Sequence, residues 1–389
     1  MTKSIQNPKQ KIIKSLPVKK TKSRKILLLV IILILVILGK YMVGAVKISP
    51  VIFQLLFNKN ISLKKADHNI NLLLLGTGGG THEGPNLTDT IIFTSIDQTK
   101  NKTTLVSIPR DFWVPDISAK INTAYATGEF KRKGGGLLLT KAVVSKIINQ
   151  PIDYAIRIDF DGFVRAVDLA GGIDVKVGEA LDDYEYPIEG KENDVCGHTP
   201  EEVEFLATSS AQLEAFPCRY MYIHYDKGLQ HMDGDKALKF VRSRHAKGDE
   251  GTDFARSARQ AKVIAAFKNK LLSLQTLLNP VKIVSLYETM SQNIDTDIQQ
   301  SEFDDFVRLF QKMRGAKMQN AVLDYGDEKT NRPGLLTNPL DVSEYDNQWV
   351  LIPRLGNGDF SEIQKYIDCE IKIGNCLIAP TLTIIKFYN

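Results

Sequence analysis

Apolar positions recur with two different periods along this chain, and their alternation predicts its architecture. Asn71 is followed by the leucine run Leu72–Leu75 and then by Gly76-Thr77-Gly78-Gly79-Gly80, the pattern of a buried strand entering a tight loop. Thr90–Ser95 and Thr103–Ser107 predict two more strands, joined by a polar turn over Asp97–Lys102. Leu137–Ile148 has helical spacing of apolar residues. Tyr154–Ile158 and Ile173–Val177 are strand-like, with a helix expected over Phe160–Leu169 between them. A short helix is expected over Asp235–Val241, a long one over residues 253–274 and another over Ser301–Lys312. Strands alternating with helices predict an α/β fold, a layered α-β-α domain with a central mixed β-sheet, over about residues 67–315.

Two segments stand outside that pattern. Asp182–Tyr220 is acidic, has no clear period and is expected to be a surface insertion. Residues 316–389 combine Pro, Gly and Asn punctuation with short strand-like runs such as Trp349–Ile352 and Leu377–Tyr388, and are expected to form a small C-terminal appendage.

The N-terminus has a different character. Residues 1–25 hold eight lysines, one arginine and no acid, whereas the chain as a whole carries +5, so the remainder is net acidic. Ile26–Gly39 is unbroken apolar or glycine, and with Tyr41–Val46 it reaches the roughly 20 residues that a membrane span needs. Lys40 is the one charge inside it and can snorkel to the headgroups. No small-residue cleavage site closes the run, which argues against a removed signal peptide. Positive charge stays on the cytoplasmic side. The expected organisation is a basic cytoplasmic tail (1–25), a transmembrane helix (26–46) and the rest outside the cell. A nucleic-acid role for the basic tail is disfavoured by the span beside it and by the lack of a helix-turn-helix pattern.

Cysteine usage agrees with export. Cys196 and Cys218 bracket the insertion, and Cys369 and Cys376 lie seven apart, so two local disulfides are expected. Zinc is the competing reading, without a CxxC or a suitably spaced His to support it.

The chemistry concentrates in two places. If the helix from Asp253 forms, Asp253, Arg256 and Gln260 share a face, with Arg259 flanking it and Arg242-Ser243-Arg244 just upstream. Arginines in such number with one acid suit phosphate oxygens, which they bind by bidentate, charge-assisted hydrogen bonds. A solvated, ion-paired helix face would have the same spacing. Asp89 precedes one expected strand and Arg110-Asp111 follows the next, so antiparallel pairing would bring them to one sheet edge. Lys120 and Asn122 come shortly after. A carboxylate beside phosphates is a candidate Mg²⁺ ligand.

These residues carry a resemblance. Gly76-Thr77, Thr88-Asp89-Thr90, Ser107-Ile108-Pro109-Arg110-Asp111, Lys120-Ile121-Asn122, Gly171-Gly172-Ile173-Asp174-Val175, Arg242-Ser243-Arg244-His245 and Asp253-x-x-Arg256-x-x-Arg259-Gln260 resemble the LytR–CpsA–Psr family, in its order. The resemblance implies a membrane-anchored, extracellular phosphotransferase. Such an enzyme moves a glycopolymer from a polyprenyl-pyrophosphate carrier onto peptidoglycan. It implies Mg²⁺ (or Mn²⁺) held by Asp89. It implies pyrophosphate held by Arg110, Lys120, Arg242, Arg244, Arg256, Arg259 and Gln260, with Arg110, Asp253 and Arg256 catalytic. The chain departs from the family pattern at Gly78, where an Asp metal ligand is usual, and at Leu87-Thr88. His82 or Glu83 in the glycine loop are the candidates to replace that ligand. Two readings remain beside transfer: a non-catalytic polyprenyl-phosphate binding protein, motivated by Gly78, and a lipid-pyrophosphate hydrolase.

Overall fold

The leucine run lies at the middle of a six-stranded sheet. The computed structural model describes residues 61–65, 68–80, 84–208, 212–273, 294–327 and 332–378. All of them belong to one unit, Gln54–Asn389. Strands β1 (Asn69–Thr77), β2 (Thr88–Asp97) and β3 (Lys102–Ser107) form an antiparallel meander. Helices α1 (Ala124–Lys131) and α2 (Gly136–Ile148) lead to β4 (Tyr154–Asp159), which pairs parallel with β1. Then come α3 (Phe160–Ala170), β5 (Ile173–Val177), β6 (Leu181–Pro187), α4 (Pro200–Ala207), β7 (Tyr220–Tyr225), β8 (Gly228–Met232) and α5 (Gly234–Arg242). The chain continues through α6 (Asp253–Leu271), β9 (Ile294–Thr296), α7 (Phe303–Lys312) and β10 (Lys317–Val322). It ends in a hairpin of β11 (Gly326–Asp327) and β12 (Arg332–Pro333) and in α8 (Ser361–Lys372). The main sheet has the order β9-β4-β1-β2-β3-β10 and is mixed, with β4 parallel to β1, β10 parallel to β3 and the other pairs antiparallel.

Alternation along β1 divides the core in two. Leu73 and Leu75 join Phe93, Val106 and Ala155 in a cluster covered by α2 and α8. Ile70 and Leu72 point the other way, against Tyr154 and against Phe306 and Leu309 of α7. The sheet is therefore covered by helices on both faces. A third cluster joins β5 to β8 with α3, α5 and α6, including Val175, Tyr186, Phe240 and Val263.

Two expectations need correction. Residues from 316 onward are not appended to the sheet: β10 is its edge strand, pairing Lys317↔Lys102 through Val322↔Ser107. Leu335, Leu336, Leu351, Phe360, Ile363 and Ile367 fill the same cluster as Leu73. The strand has a mixed pattern and α8 sits among turn residues, so neither announced itself. The insertion is also shorter than Asp182–Tyr220. Asp183 and Tyr186 of β6 are buried, and the insertion is only the stretch between β6 and β7, which carries α4 and is closed by the Cys196–Cys218 disulfide. Cys369 and Cys376 form the second disulfide.

The expected transmembrane helix (26–46) and the tail before it lie outside the described residues, as do His82 and Glu83. Among the described residues, no helix is long and apolar enough to cross a membrane.

Candidate active site

Antiparallel pairing of β2 with β3 brings the start of one strand beside the end of the other. Asp89 is the second residue of β2 and Arg110 follows β3, and Arg110 Nη1 lies 2.5 Å from Asp89 Oδ1. Asp111 extends the chain of charges, with Arg110 Nε at 3.5 Å and Lys120 Nζ at 2.9 Å. Lys120 thus braces Arg110 through Asp111. The loop that carries it is tied back by Asn122 N–H donating to the Arg110 carbonyl and Thr88 Oγ1 donating to the Asn122 carbonyl. Burial alone would pull the Arg110 guanidinium down, but its hydrogen bond and charge pairing with Asp89, and then Asp111, hold it above its ordinary value. Its buried Nε makes no hydrogen bond among the described residues and meets the Asp111 carboxylate only at ion-pair distance.

Helix α6 supplies the opposite wall. Thr252 caps it by accepting from Ala255 N–H at 3.1 Å, so the first turn opens on Asp253. Asp253, Arg256, Ser257 and Gln260 then face one cavity shared with Asp89 and Arg110, as the i, i+3, i+7 spacing predicts. Arg256 Nη2 is 2.7 Å from Asp253 Oδ1, and Gln260 Nε2 donates to Thr90 Oγ1 at 3.4 Å. Val322 and Leu323, at the end of β10, complete the lining. Sequence reasoning missed these two because it placed them outside the domain.

Arg242 ends α5, and Ser243 and Arg244 continue from it in a turn held from beneath. Asp183, fully buried on β6, accepts from Ser243 Oγ at 2.7 Å and from His245 N–H at 3.3 Å. Arg259 holds the same turn from α6. Its Nη2 donates to the Ser243 carbonyl at 2.7 Å, its Nε to the Phe240 carbonyl at 3.0 Å and its Nη1 to the Glu250 backbone carbonyl and carboxylate. With 1% exposure and every nitrogen engaged, Arg259 is in no position to grip pyrophosphate. It positions the Arg242–Arg244 turn, and the expectation of direct binding is corrected. Asp183 was missed because it sits in the acidic stretch read as an insertion. Arg242 lies over the Phe160 ring at 4.2 Å and near Tyr186 at 5.9 Å.

Arg244 is the electrostatic centre of this arrangement. Among the described residues no carboxylate lies within ion-pair distance of it. Burial pushes its guanidinium down to about 10, repulsion from Arg256 and Arg110 adds to this, and Asp89 and Asp253 oppose it. Three arginines with two acids thus leave a half-buried positive excess, poised for an anion.

The glycine loop lies at the same end of β1. Gly79 has φ of +71°, and a Cβ there would come within 2.5 Å of Asp159 Cβ, so the tight approach needs glycine. The cavity offers Asp89 as one carboxylate already shared with Arg110, and Gly78 adds none. The one cluster of three potential metal donors among the described residues is Asp194 with Cys196 and Cys218, whose sulfurs are bonded to each other.

The family model for the LytR_cpsA_psr family matches residues 47–340. The chain belongs to that family. Curated relatives include the polyisoprenyl-teichoic acid–peptidoglycan teichoic acid transferase TagU of Bacillus anthracis, 28% identical over 253 residues, 64% of this chain and 67% of the relative. TagV of Bacillus subtilis, also a polyisoprenyl-teichoic acid–peptidoglycan teichoic acid transferase, is 29% identical over 253 residues, 63% of this chain and 53% of the relative. Among solved structures, the Lin1025 protein from Listeria innocua superposes with a TM-score of 0.51 at 22% identity, over 80% of this chain and 100% of that one. Protein gbs0355 from Streptococcus agalactiae gives 0.51 at 21% identity, over 78% and 88%. At that identity the likeness concerns the fold, a mixed sheet between helices.

Proposed function

We propose that this member of the LytR_cpsA_psr family is a phosphotransferase that moves a glycopolymer from a polyprenyl-pyrophosphate carrier onto a peptidoglycan hydroxyl. The observation that carries this reading is the cavity between β2 and α6, lined by Arg110 and Arg256 with Asp89 and Asp253, beside which a third arginine, Arg244, has no ion-paired carboxylate among the described residues. Phosphoryl transfer asks a protein mainly for positioning and charge neutralisation, and an unneutralised arginine cluster supplies both.

In this reading the pyrophosphate bridges Arg110, Arg244 and Arg256, with Gln260 donating one further hydrogen bond and Arg242 at the flank. An acceptor hydroxyl attacks the phosphorus that bears the glycan, and a new P–O bond forms. The bond to the bridging oxygen of the lipid phosphate breaks, and polyprenyl monophosphate leaves. The hydroxyl proton passes to Asp253, and the charge growing on the leaving oxygens is met by the arginines. Mg²⁺ or Mn²⁺, when bound, would sit on Asp89 and neutralise phosphate charge. Lys120 acts through Asp111 on Arg110. The basic tail and the apolar segment 26–46 fit a single-pass cell-membrane anchor with the enzyme outside the cell, where its disulfides are maintained.

The test is to incubate the detergent-solubilised full chain with a lipid-linked glycan and soluble peptidoglycan fragments, and to look by mass spectrometry for a glycan joined to the fragment through a phosphodiester. Sugar phosphate released without any adduct would indicate a hydrolase. Tight lipid binding with neither product would indicate a carrier.

A further inference from the structure

The hairpin that follows β10 has no part in the site described so far, yet it grows directly out of the cavity wall. Val322 and Leu323 line the cavity, and the next residue, Asp324, is buried at 5% exposure. Asp324 anchors the hairpin. Its carbonyl accepts from Leu335 N–H and Leu336 N–H, and its carboxylate takes Arg332 in a two-pronged pair at 3.1 and 2.5 Å. Arg332 in turn lies over the ring of Phe254, with Cζ 5.4 Å from its centroid. Phe254 directly follows the cavity residue Asp253 and stays 48% exposed, and Tyr325, directly after Asp324, is 59% exposed. Two partly exposed aromatic side chains thus lie close in sequence to residues lining a charged cavity, Tyr325 on a hairpin held by an ion pair whose Asp324 end is buried.

We propose that Phe254 and Tyr325 form the subsite for the acceptor glycan strand, resting on the transfer reading above. The C–H face of a pyranose is weakly positive and the face of an aromatic ring negative, so the two stack as cation and ring do. The arginines hold the donor's pyrophosphate within the cavity, and the rim lies outside them. A sugar on Phe254 therefore brings its hydroxyl to Asp253, the group that takes the proton. Arg332 fixes the Phe254 ring, and Asp324 fixes Arg332, so the C-terminal hairpin sets the acceptor position.

The experiment compares the full chain with its Phe254→Ala, Tyr325→Ala, Phe254→Tyr and Tyr325→Phe forms. It measures KM for peptidoglycan fragments and for lipid-linked glycan separately, and binding of the fragments to the same proteins by calorimetry. Loss of one stacking contact should raise the acceptor KM and Kd roughly tenfold. The donor KM should not rise in parallel, and the aromatic-for-aromatic forms should restore acceptor affinity. A rise confined to the donor KM, or a fall in kcat with both KM values unchanged, would overturn the proposal. If the unaltered protein transfers nothing, the reaction reading fails. The subsite then stands or falls on calorimetry alone: fragment binding weakened in the alanine forms sustains it, and equal or absent binding refutes it.

Discussion

Arg244 offers a test in which stability and function should move in opposite directions. It carries a charge in a half-buried place, repelled by two neighbouring arginines and lacking a carboxylate of its own among the described residues. The fall to about 10 corresponds to at most about 3.5 kcal/mol of penalty, at about 1.4 kcal/mol for each tenfold in acidity. Water reaching the head group screens much of it, leaving about 1–2 kcal/mol. The sign follows from the direction. A cation whose folded pKa is depressed destabilises the fold wherever it is charged in both states, so the penalty is full at neutral pH. It eases only as pH rises above about 10. Arg244→Met keeps the stem and removes the charge, and should raise the melting temperature of the ligand-free, detergent-solubilised chain by about 2–4 °C. With farnesyl pyrophosphate at about 100 times its Kd, the unaltered protein should gain about 2.7 kcal/mol, and the order of the two melting curves should reverse. Thermal scans with and without the ligand read both effects. A ligand-free Arg244→Met protein that melts several degrees lower would refute the reasoning, because Arg244 would then be stabilised by partners rather than held in reserve for an anion.

Arg259→Met should behave in the opposite way, losing about 3 kcal/mol or more in denaturant unfolding because three carbonyls and Glu250 lose a buried donor; an unchanged midpoint would show that the Arg242–Arg244 turn holds itself. Replacing Cys196 and Cys218 by Ser opens a closure of 22 residues, worth about 3 kcal/mol in loop entropy. Limited proteolysis should then cut between β6 and β7 with transfer largely retained, and loss of transfer would mean that the insertion shapes the site. Chelation of divalent ions should slow turnover on its own, and Asp89→Asn should abolish further sensitivity to chelator; equal sensitivity in the two proteins would remove Asp89 as the metal ligand.

Most of this arrangement was legible in the chain where local pattern and tertiary role coincide. The leucine run, the Ile173–Val177 strand and the face shared by Asp253, Arg256 and Gln260 follow from period alone, because a helix or strand with one buried face writes that face into its sequence. The pairing of Asp89 with Arg110 followed from antiparallel neighbours. Three matters were not legible. Arg259 and Arg256 are alike in sequence, and which one faces the cavity depends on α5 crossing α6, a contact between distant segments. Asp183 looks like one acid among many until Ser243 is brought to it across 60 positions. The strand β10 lies far along the chain from β3, its partner, and a parallel edge strand has no hairpin turn to announce it.

The account stands most directly on acceptor-dependent release of polyprenyl monophosphate. The full chain in detergent would be given a synthetic lipid-pyrophosphate glycan, with and without peptidoglycan fragments, beside an Arg244→Ala form. The predicted result is release that needs the fragment, with each phosphate matched by a glycan–fragment adduct, and a rate lowered at least a hundredfold in Arg244→Ala. Release at the same rate without fragment, or undiminished in Arg244→Ala, would contradict it.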